Sequence, residues 1–489
     1  MTKTLIRNGR VVTATETYVS DILIHSGRIA ALGTELDDVE VTDIIDANGL
    51  LVLPGAIDEH THMAMPFNGT VTAGWDTETV AAAVGGTTTI VDFAIQNKGQ
   101  SLLETVFAWK EKANFHTAID YSLHIAITDL NEEVLQEIPM VVARGVVTLK
   151  MFMAYKGEMM MDDQALLRIL QVARGVGALV MVHAENGEVV DLLQRQLVAE
   201  GKMAPKYHGD SRPPEVEAEA TRRAIALAKL AGAPIFIVHV SAEESLAEIR
   251  RARNNGQAVY AETCPQYLLL DESYLDLPGF EGAKYVCSPP LRHRSHQERL
   301  WQGLSDGTLQ AIGTDHCSFN FNQQKQMGLG DFRKIPNGVN GIENWVQLLY
   351  TYGVARGRLT LNQWVQLTST NPARLMGLLP RKGSLSIGAD ADLVLYDPSV
   401  SKMITANKQK QNSDYHLYEG FEVVGVPRYV LLRGQVIAKD GEYIGNLMQG
   451  KFIEAKPFSS AYDSVSARDV SSSSLATPFH QMGVDRHAH

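Results

Sequence analysis

Cysteine is scarce in this chain: Cys264, Cys287 and Cys317 are the only three in 489 residues, and no C-x-x-C pair is present. That excludes a disulfide framework and a thiolate zinc site, and it fits a reducing, cytoplasmic setting. Positive charge is also in deficit, with 44 Lys+Arg against 56 Asp+Glu and a formal net charge of −12. A nucleic-acid partner held by bulk charge is therefore excluded. Long hydrophobic runs are missing too. No window approaches the roughly 18 unbroken apolar residues of a membrane span, and the N-terminus, with Lys3, Arg7 and Arg10, has no apolar core of signal-peptide length. No membrane partner is expected. What is there is globular: 45% hydrophobic and 20% charged residues can bury a large core. Length alone allows about three domains, although an α/β barrel can use about 250 residues as one unit.

Between residues 5 and 45, short β-branched runs alternate with turn signals. Arg7-Asn8-Gly9-Arg10 precedes Val11-Val12, and His25-Ser26-Gly27-Arg28 precedes Ile29, both hairpin cues. The same texture returns after Gly388, at residues 391–396 and 431–437. The two ends of the chain are expected to form one small β domain. In the middle, buried-strand runs alternate with helical stretches, the mark of a parallel sheet built from βα units. Candidate strands are 56–62, 87–94, 119–127, 146–152, 178–184, 234–241, 258–263 and 309–315, with amphipathic stretches such as 163–173, 215–231 and 243–254 between them. Eight units point to an α/β fold: a (β/α)8 TIM-like barrel, with a smaller β-sandwich domain formed by the N- and C-terminal segments. An open eight-stranded sheet is the alternative. The expected division is 1–53 and 381–458 for the β domain and 54–380 for the barrel. A Ser-rich tail at 459–489 is either disordered or laid over a neighbouring subunit, with His480, His487 and His489 as surface residues.

The residues that close these strands carry the chemistry. In such a barrel the active site lies at the C-terminal strand ends. The first strand ends Asp58-Glu59-His60-Thr61-His62, and alternation along a strand lets His60 and His62 face the same way. Other strands end at Lys150, His183, His239 and Thr314-Asp315. A single His at a strand end is an ordinary hydrogen-bonding residue. The force lies in the joint pattern, because each polar residue closes a run otherwise nearly free of them. Buried charge without partners is costly, and a divalent metal is the natural partner for imidazole and carboxylate together. Lys150 has two readings. As a plain lysine it would contact substrate or an oxyanion. Carboxylated by CO2 to N6-carboxylysine, it becomes an anionic ligand able to bridge two metals. Desolvation and the field of a metal site favour the uncharged amine that reacts, so the carbamate is the better reading.

These residues resemble the binuclear amidohydrolase superfamily, and within it the dihydropyrimidinase and hydantoinase branch. The resemblance rests on residues 58–62, Lys150, His183, His239 and 314–317, and it extends to Asn371-Pro372-Ala373-Arg374 and residues 382–392. It implies two Zn2+ per subunit. His60, His62 and Asp315 would hold one and His183 and His239 the other, with carboxylated Lys150 bridging. It also implies a metal-bridging hydroxide as nucleophile, with Asp315 carrying the proton to the departing ring nitrogen. Tyr155 is similar to the family tyrosine that donates to the developing oxyanion. Ser288 and Asn337 match positions where the family binds its cyclic amide largely through main-chain groups. As alternatives, Tyr155 would pack under a loop, and Ser288 and Asn337 would be turn or capping residues.

Met63, Met65, Phe67, Phe152, Met159, Met160 and Met161 form Met-rich loop segments near the mouth. They are either loop packing or a flexible wall for the substrate's ring substituent. Cys317 and His316 are expected behind the ligands or in packing.

The implied partner is a small cyclic amide or imide, and the implied assembly a homotetramer. Dihydroorotase, whose substrate is anionic, typically carries an Arg two residues after its H-x-H; here the sequence is His62-Met63-Ala64. The expected reaction is the opening of 5,6-dihydropyrimidines (dihydrouracil, dihydrothymine) to N-carbamoyl-β-amino acids, with 5-substituted hydantoins as further substrates. An allantoinase-type ureide hydrolase is the alternative. A non-catalytic interaction homologue is weighted lower because the whole ligand set is present.

Overall fold

Apolar and β-branched runs pair in chain order into one parallel eight-stranded sheet. Its strands are β1 (Ala56–Thr61), β2 (Thr87–Ile95), β3 (Asp120–Ala126), β4 (Thr148–Phe152), β5 (Leu179–His183), β6 (Ile235–Ile237), β7 (Val259–Thr263) and β8 (Ala311–Ile312). The architecture comes from a computed structural model that describes residues 3–34, 36 and 41–457; the tail at 459–489, with its three histidines, lies outside the described residues. Helices pack between the strands. Every residue of β4 and of β5 is buried, which is why these segments read as continuous apolar runs rather than alternating ones. Between β8 and β1 the sheet closes through a single bridge, Thr61 to His316. The Asp58 carboxylate reinforces this seam, accepting from Thr314 N at 2.9 Å and from Thr314 Oγ1 at 2.6 Å. The sheet is thus a nearly closed (β/α)8 barrel, not an open sheet.

The helices start and stop on local signals. The Asp162 side chain accepts from Ala165 N at the start of Asp163–Val176, and Gly177 ends that helix at φ 71°. Pro214–Ala231 opens on Pro214 and ends at Gly232 with φ 62°. Most strands end within a residue or two of the predicted bounds, but two are much shorter, 235–237 against 234–241 and 311–312 against 309–315. The backbone turns left-handed at His239 (φ 40°) and Asp315 (φ 51°), which interrupts regular strand geometry there, and pairing resumes only as single contacts, Val240 N to Glu262 O and His62 N to His316 O, both at 2.9 Å.

Both ends of the chain meet in a nine-stranded sheet. Lys3–Val12 pairs antiparallel with Thr17–His25; on its other edge the first half pairs with Asp43–Asp46 and the second with Leu51–Pro54. Leu51–Pro54 pairs in turn with Leu393–Met403, so the returning chain joins the departing one. Ile6, Val11, Ile24, Val52, Leu393 and Leu431 belong to a core of this sheet's own. A buried ion cluster ties it to the barrel. Lys382 Nζ lies 2.5 Å from Asp120 Oδ2, 2.6 Å from Asp392 Oδ2 and 3.1 Å from Asp390 Oδ2, and Arg433 also pairs with Asp120. Asp120 is the first residue of β3, so this clamp grips the barrel at the end opposite the carboxyl ends of its strands.

Candidate active site

The carboxyl ends of the strands surround one cavity. Its walls include His60, His62, Lys150, His183, His239 and Asp315, residues spread over more than 250 positions of the sequence. His60 lies in β1, and His62 follows the strand's end on the same face. Their Nε2 atoms stand 3.1 and 3.2 Å from the same Asp315 oxygen. These three residues place their donor atoms within 4.8 Å of one another, a grouping able to hold a metal ion. His183 closes β5 and His239 lies two residues beyond β6; His183 Nδ1 is 3.0 Å from His239 Nε2. The ring centroids of His60 and His239 are 5.4 Å apart, so the two groups are neighbours. Lys150 reaches up from β4, with Nζ 4.9 Å from the Phe93 ring centroid and 5.2 Å from that of Phe152.

Buried carboxylates aim the imidazoles. Glu262, on β7, sits against His60 Nδ1 and also accepts from His239 N at 3.1 Å. Glu185 lies 2.7 Å from His183 Nε2 and pairs with Arg212. With those ring nitrogens engaged, His60 Nε2 and His183 Nδ1 are left to face the cavity. Burial would raise Glu185, but the Arg212 guanidinium and the His183 hydrogen bond outweigh it and hold the carboxyl at about 2.

The electrostatics bear on whether this donor set suits a cation. Burial pulls the His60 imidazole down, yet the Glu262 and Asp315 carboxylates outweigh it and raise it to about 9. The field at that point therefore favours positive charge. Burial lowers His62 to about 4 and takes His239 well below the usual range, which keeps both rings neutral with lone pairs to share. Burial would raise Asp315, but its histidine neighbours hold it well below the ordinary carboxylate range. Burial lowers Lys150 to about 8 against the pull of Glu262 and Asp315, so far more of the amine is neutral near neutral pH than in an exposed lysine. Nδ1 of His62 and of His239 are buried with no hydrogen-bond partner among the described residues. Neutral imidazoles, an ionised carboxylate and a field that attracts positive charge fit a divalent cation such as zinc.

Tyr155 follows β4 at φ 64°, a conformation costly for a non-glycine residue and concentrated at functional sites. Its ring centroid is 5.4 Å from that of His183, and the Arg212 guanidinium lies 5.6 Å from the ring. Burial pushes its hydroxyl up to about 12, against the lowering effect of Arg212 and of the nearby Ser288 and Asn337 side chains. At ordinary pH it is a protonated donor. Ser288 Oγ lies 3.3 Å from His208 Nε2, which itself meets Cys287 O at 2.8 Å. Ser288 and Asn337 both line the cavity beside Gly338.

Of the apolar mouth residues, Met65, Phe67, Phe152 and Met159 line the cavity. Met63 does not: it is fully buried, and its N–H donates to Asp92 at 2.8 Å. Met160 and Met161 line a separate depression with Lys98 and Arg168. Cys317 is a wall residue, along with Ile95, while His316 turns away to lie 2.6 Å from Glu78. Sequence reasoning missed Glu262, Glu185 and Arg212. Glu262 carried the same signal as the others, a polar residue at the end of an apolar strand. Glu185 and Arg212 sit in loops and carried none.

The amidohydrolase family model matches residues 51–437 of the chain. A D-hydantoinase of Geobacillus stearothermophilus is 49% identical over 456 residues, covering 93% of this chain and 96% of that one. A D-hydantoinase of Streptomyces coelicolor is 48% identical over 455 residues, covering 92% and 97%. The crystal structure of a dihydropyrimidinase from Brevibacillus agri matches with a TM-score of 0.92 at 48% identity, covering 93% of this chain and 99% of that one.

Proposed function

Because the chain belongs to the amidohydrolase family, and within it to the cyclic amidohydrolases of the hydantoinase and dihydropyrimidinase branch, we propose that it opens 5,6-dihydropyrimidine rings to N-carbamoyl-β-amino acids and also hydrolyses 5-substituted hydantoins. One observation carries this reading: the histidines, Asp315 and Lys150 meet in a cavity whose walls, among the described residues, hold no arginine. A neutral ring suits such walls, which offer a substrate carboxylate no arginine to pair with.

In this reading His60, His62 and Asp315 would hold one zinc ion and His183 and His239 a second, with N6-carboxylated Lys150 as a further anionic ligand. Bound there, the two cations supply Lewis acidity: they lower the pKa of a water toward neutrality and polarise the carbonyl under attack. Asp315 accepts the proton released by the attacking water and returns it to the departing ring nitrogen. Tyr155 donates its hydroxyl to the carbonyl oxygen as negative charge develops there. The backbone at Ser288 and Asn337 reads the alternating N–H and C=O groups of the ring. Met65, Phe67, Phe152 and Met159 exclude bulk water and pack against the ring substituent.

The same reading divides the chain into a barrel at 54–380 and a β domain from 1–53 and 381–458. It takes a homotetramer as the assembly, which sedimentation tests. The three cysteines are free and buried, which supports a reducing, cytoplasmic setting. Among the described residues no helix is long and apolar enough to cross a membrane. The functional test is a panel of dihydrouracil, hydantoin, allantoin and dihydroorotate on zinc-loaded protein. Turnover of dihydrouracil and hydantoin is expected; turnover of only the other two overturns the substrate assignment.

A further inference from the structure

Lys325 is fully buried, and the mechanism above makes no use of it. Its Nζ donates to three backbone carbonyls, Val286 O at 3.0 Å, Pro336 O at 2.7 Å and Gly338 O at 2.7 Å. An ammonium has three donors, and all three are engaged. Among the described residues no carboxylate lies within ion-pair distance of it, so carbonyl dipoles are what compensate a buried charge that would otherwise be very costly. Burial pulls the amine down to about 7 against the Cys287 and Cys317 sulfurs, and the three carbonyl oxygens at 2.7–3.0 Å are acceptors matched to its charged form.

The acceptors are not scattered. Val286 is two residues before Ser288, and Pro336 and Gly338 flank Asn337. The two segments also meet directly, with Gly338 N donating to Val286 O at 3.0 Å. Gly338 has φ 145°, and a Cβ there would stand 2.6 Å from Cys317 O, so the chain packs closely against Cys317 and only glycine fits. The carbonyl of Pro336 belongs to the same peptide unit as the Asn337 N–H. A cation on that oxygen draws electron density from the nitrogen and strengthens its hydrogen as a donor. Next along the chain, Gln324 Nε2 donates to Thr70 Oγ1 at 2.7 Å and Val71 O at 2.8 Å, which anchors the same segment to the hairpin that carries Phe67.

We propose that Lys325 is a positioning residue for the substrate ring: its ammonium locks segments 286–288 and 336–338 into one rigid recognition surface and sharpens the Asn337 N–H. This rests on the proposed function, in which those backbone groups read the cyclic amide.

The test compares Lys325→Met and Lys325→Gln with wild type in the zinc-loaded protein, reading kcat and KM for dihydrouracil, bound metal, and amide hydrogen exchange without substrate. Lys325→Met is expected to raise KM at least about tenfold with kcat within about threefold, since the lost contact is a binding one. Bound metal stays at the wild-type level, and exchange rises in both segments. Lys325→Gln, which keeps two donors, falls between. An unchanged KM, unchanged exchange, or parallel loss of kcat and metal overturns the proposal. If neither variant folds, exchange in wild type saturated with N-carbamoyl-β-alanine decides. Protection at 286–288 and 336–338 supports the proposal, and protection only elsewhere overturns it. Exchange is read without turnover, so a wild type inactive on every ring counts against the proposed function, whereas unaltered exchange in the variants counts against Lys325.

Discussion

Replacing Tyr155 by Phe removes one hydroxyl and little else. The ring is held at centroid distances of 5.4 Å from His183, 6.1 Å from Phe152 and 6.0 Å from Phe67, contacts that phenylalanine keeps. What disappears is a donor that burial holds protonated, its value pushed up to about 12. Loss of one preorganised oxyanion donor costs about 10²–10³ in kcat, or roughly 2.7–4 kcal/mol of transition-state stabilisation. The assay is steady-state hydrolysis of dihydrouracil with bound metal and melting temperature measured on the same preparation. A kcat within about threefold of wild type, with metal intact, refutes the oxyanion role; loss of metal along with activity shows instead that the ring merely packs. The pH dependence follows with its sign. The active form is the protonated phenol, and its value is raised from 10.0 to about 12. Its contribution is therefore kept through the alkaline range and lost only as pH rises toward 12, so an alkaline limb below pH 10 must come from another group.

Lys150→Ala is expected to lower bound metal and cut activity at least about a thousandfold, with partial recovery on adding short carboxylic acids that stand in for the carbamate; full activity in this variant refutes the modified lysine. Chelation should abolish turnover while far-ultraviolet circular dichroism stays unchanged, because the barrel's core is apolar and does not depend on the site, and added zinc should restore it; full activity of metal-free protein contradicts the whole reading. Lys382→Met leaves Asp120, Asp390 and Asp392 buried without their shared cation, and urea unfolding should show a loss of about 3–5 kcal/mol, with a loss below about 1 kcal/mol contradicting it. Burial would raise Asp390, but the Lys382 charge and the Arg381 hydrogen bond hold it below the ordinary carboxylate value. That stabilisation is present above the ordinary value and lost as pH falls through the lowered one, so the variant should unfold with a shallower acid limb.

Much of the molecule was legible from the chain alone, for a local reason. A parallel strand buried on both faces must be written as an unbroken apolar run, and each of the eight barrel strands overlaps one of the predicted segments. A polar residue closing such a run is conspicuous because burying it is expensive, and His60, His62, Lys150, His183, His239 and Asp315 all stood out in this way. Other features depended on the tertiary structure. Strands β6 and β8 stop early, and just beyond them the backbone turns left-handed at His239 and Asp315, which nothing in the residue types announces. Met65 faces the cavity and Met63 the core, a choice set by which side of the loop meets Asp92. Glu185 is paired with Arg212, and Lys325 holds carbonyls 11 to 39 positions away. Side-chain periodicity reports only on a residue's own element. Which distant groups share a buried volume, and so shift one another's charge or hold one another's backbone, is settled only when the barrel closes.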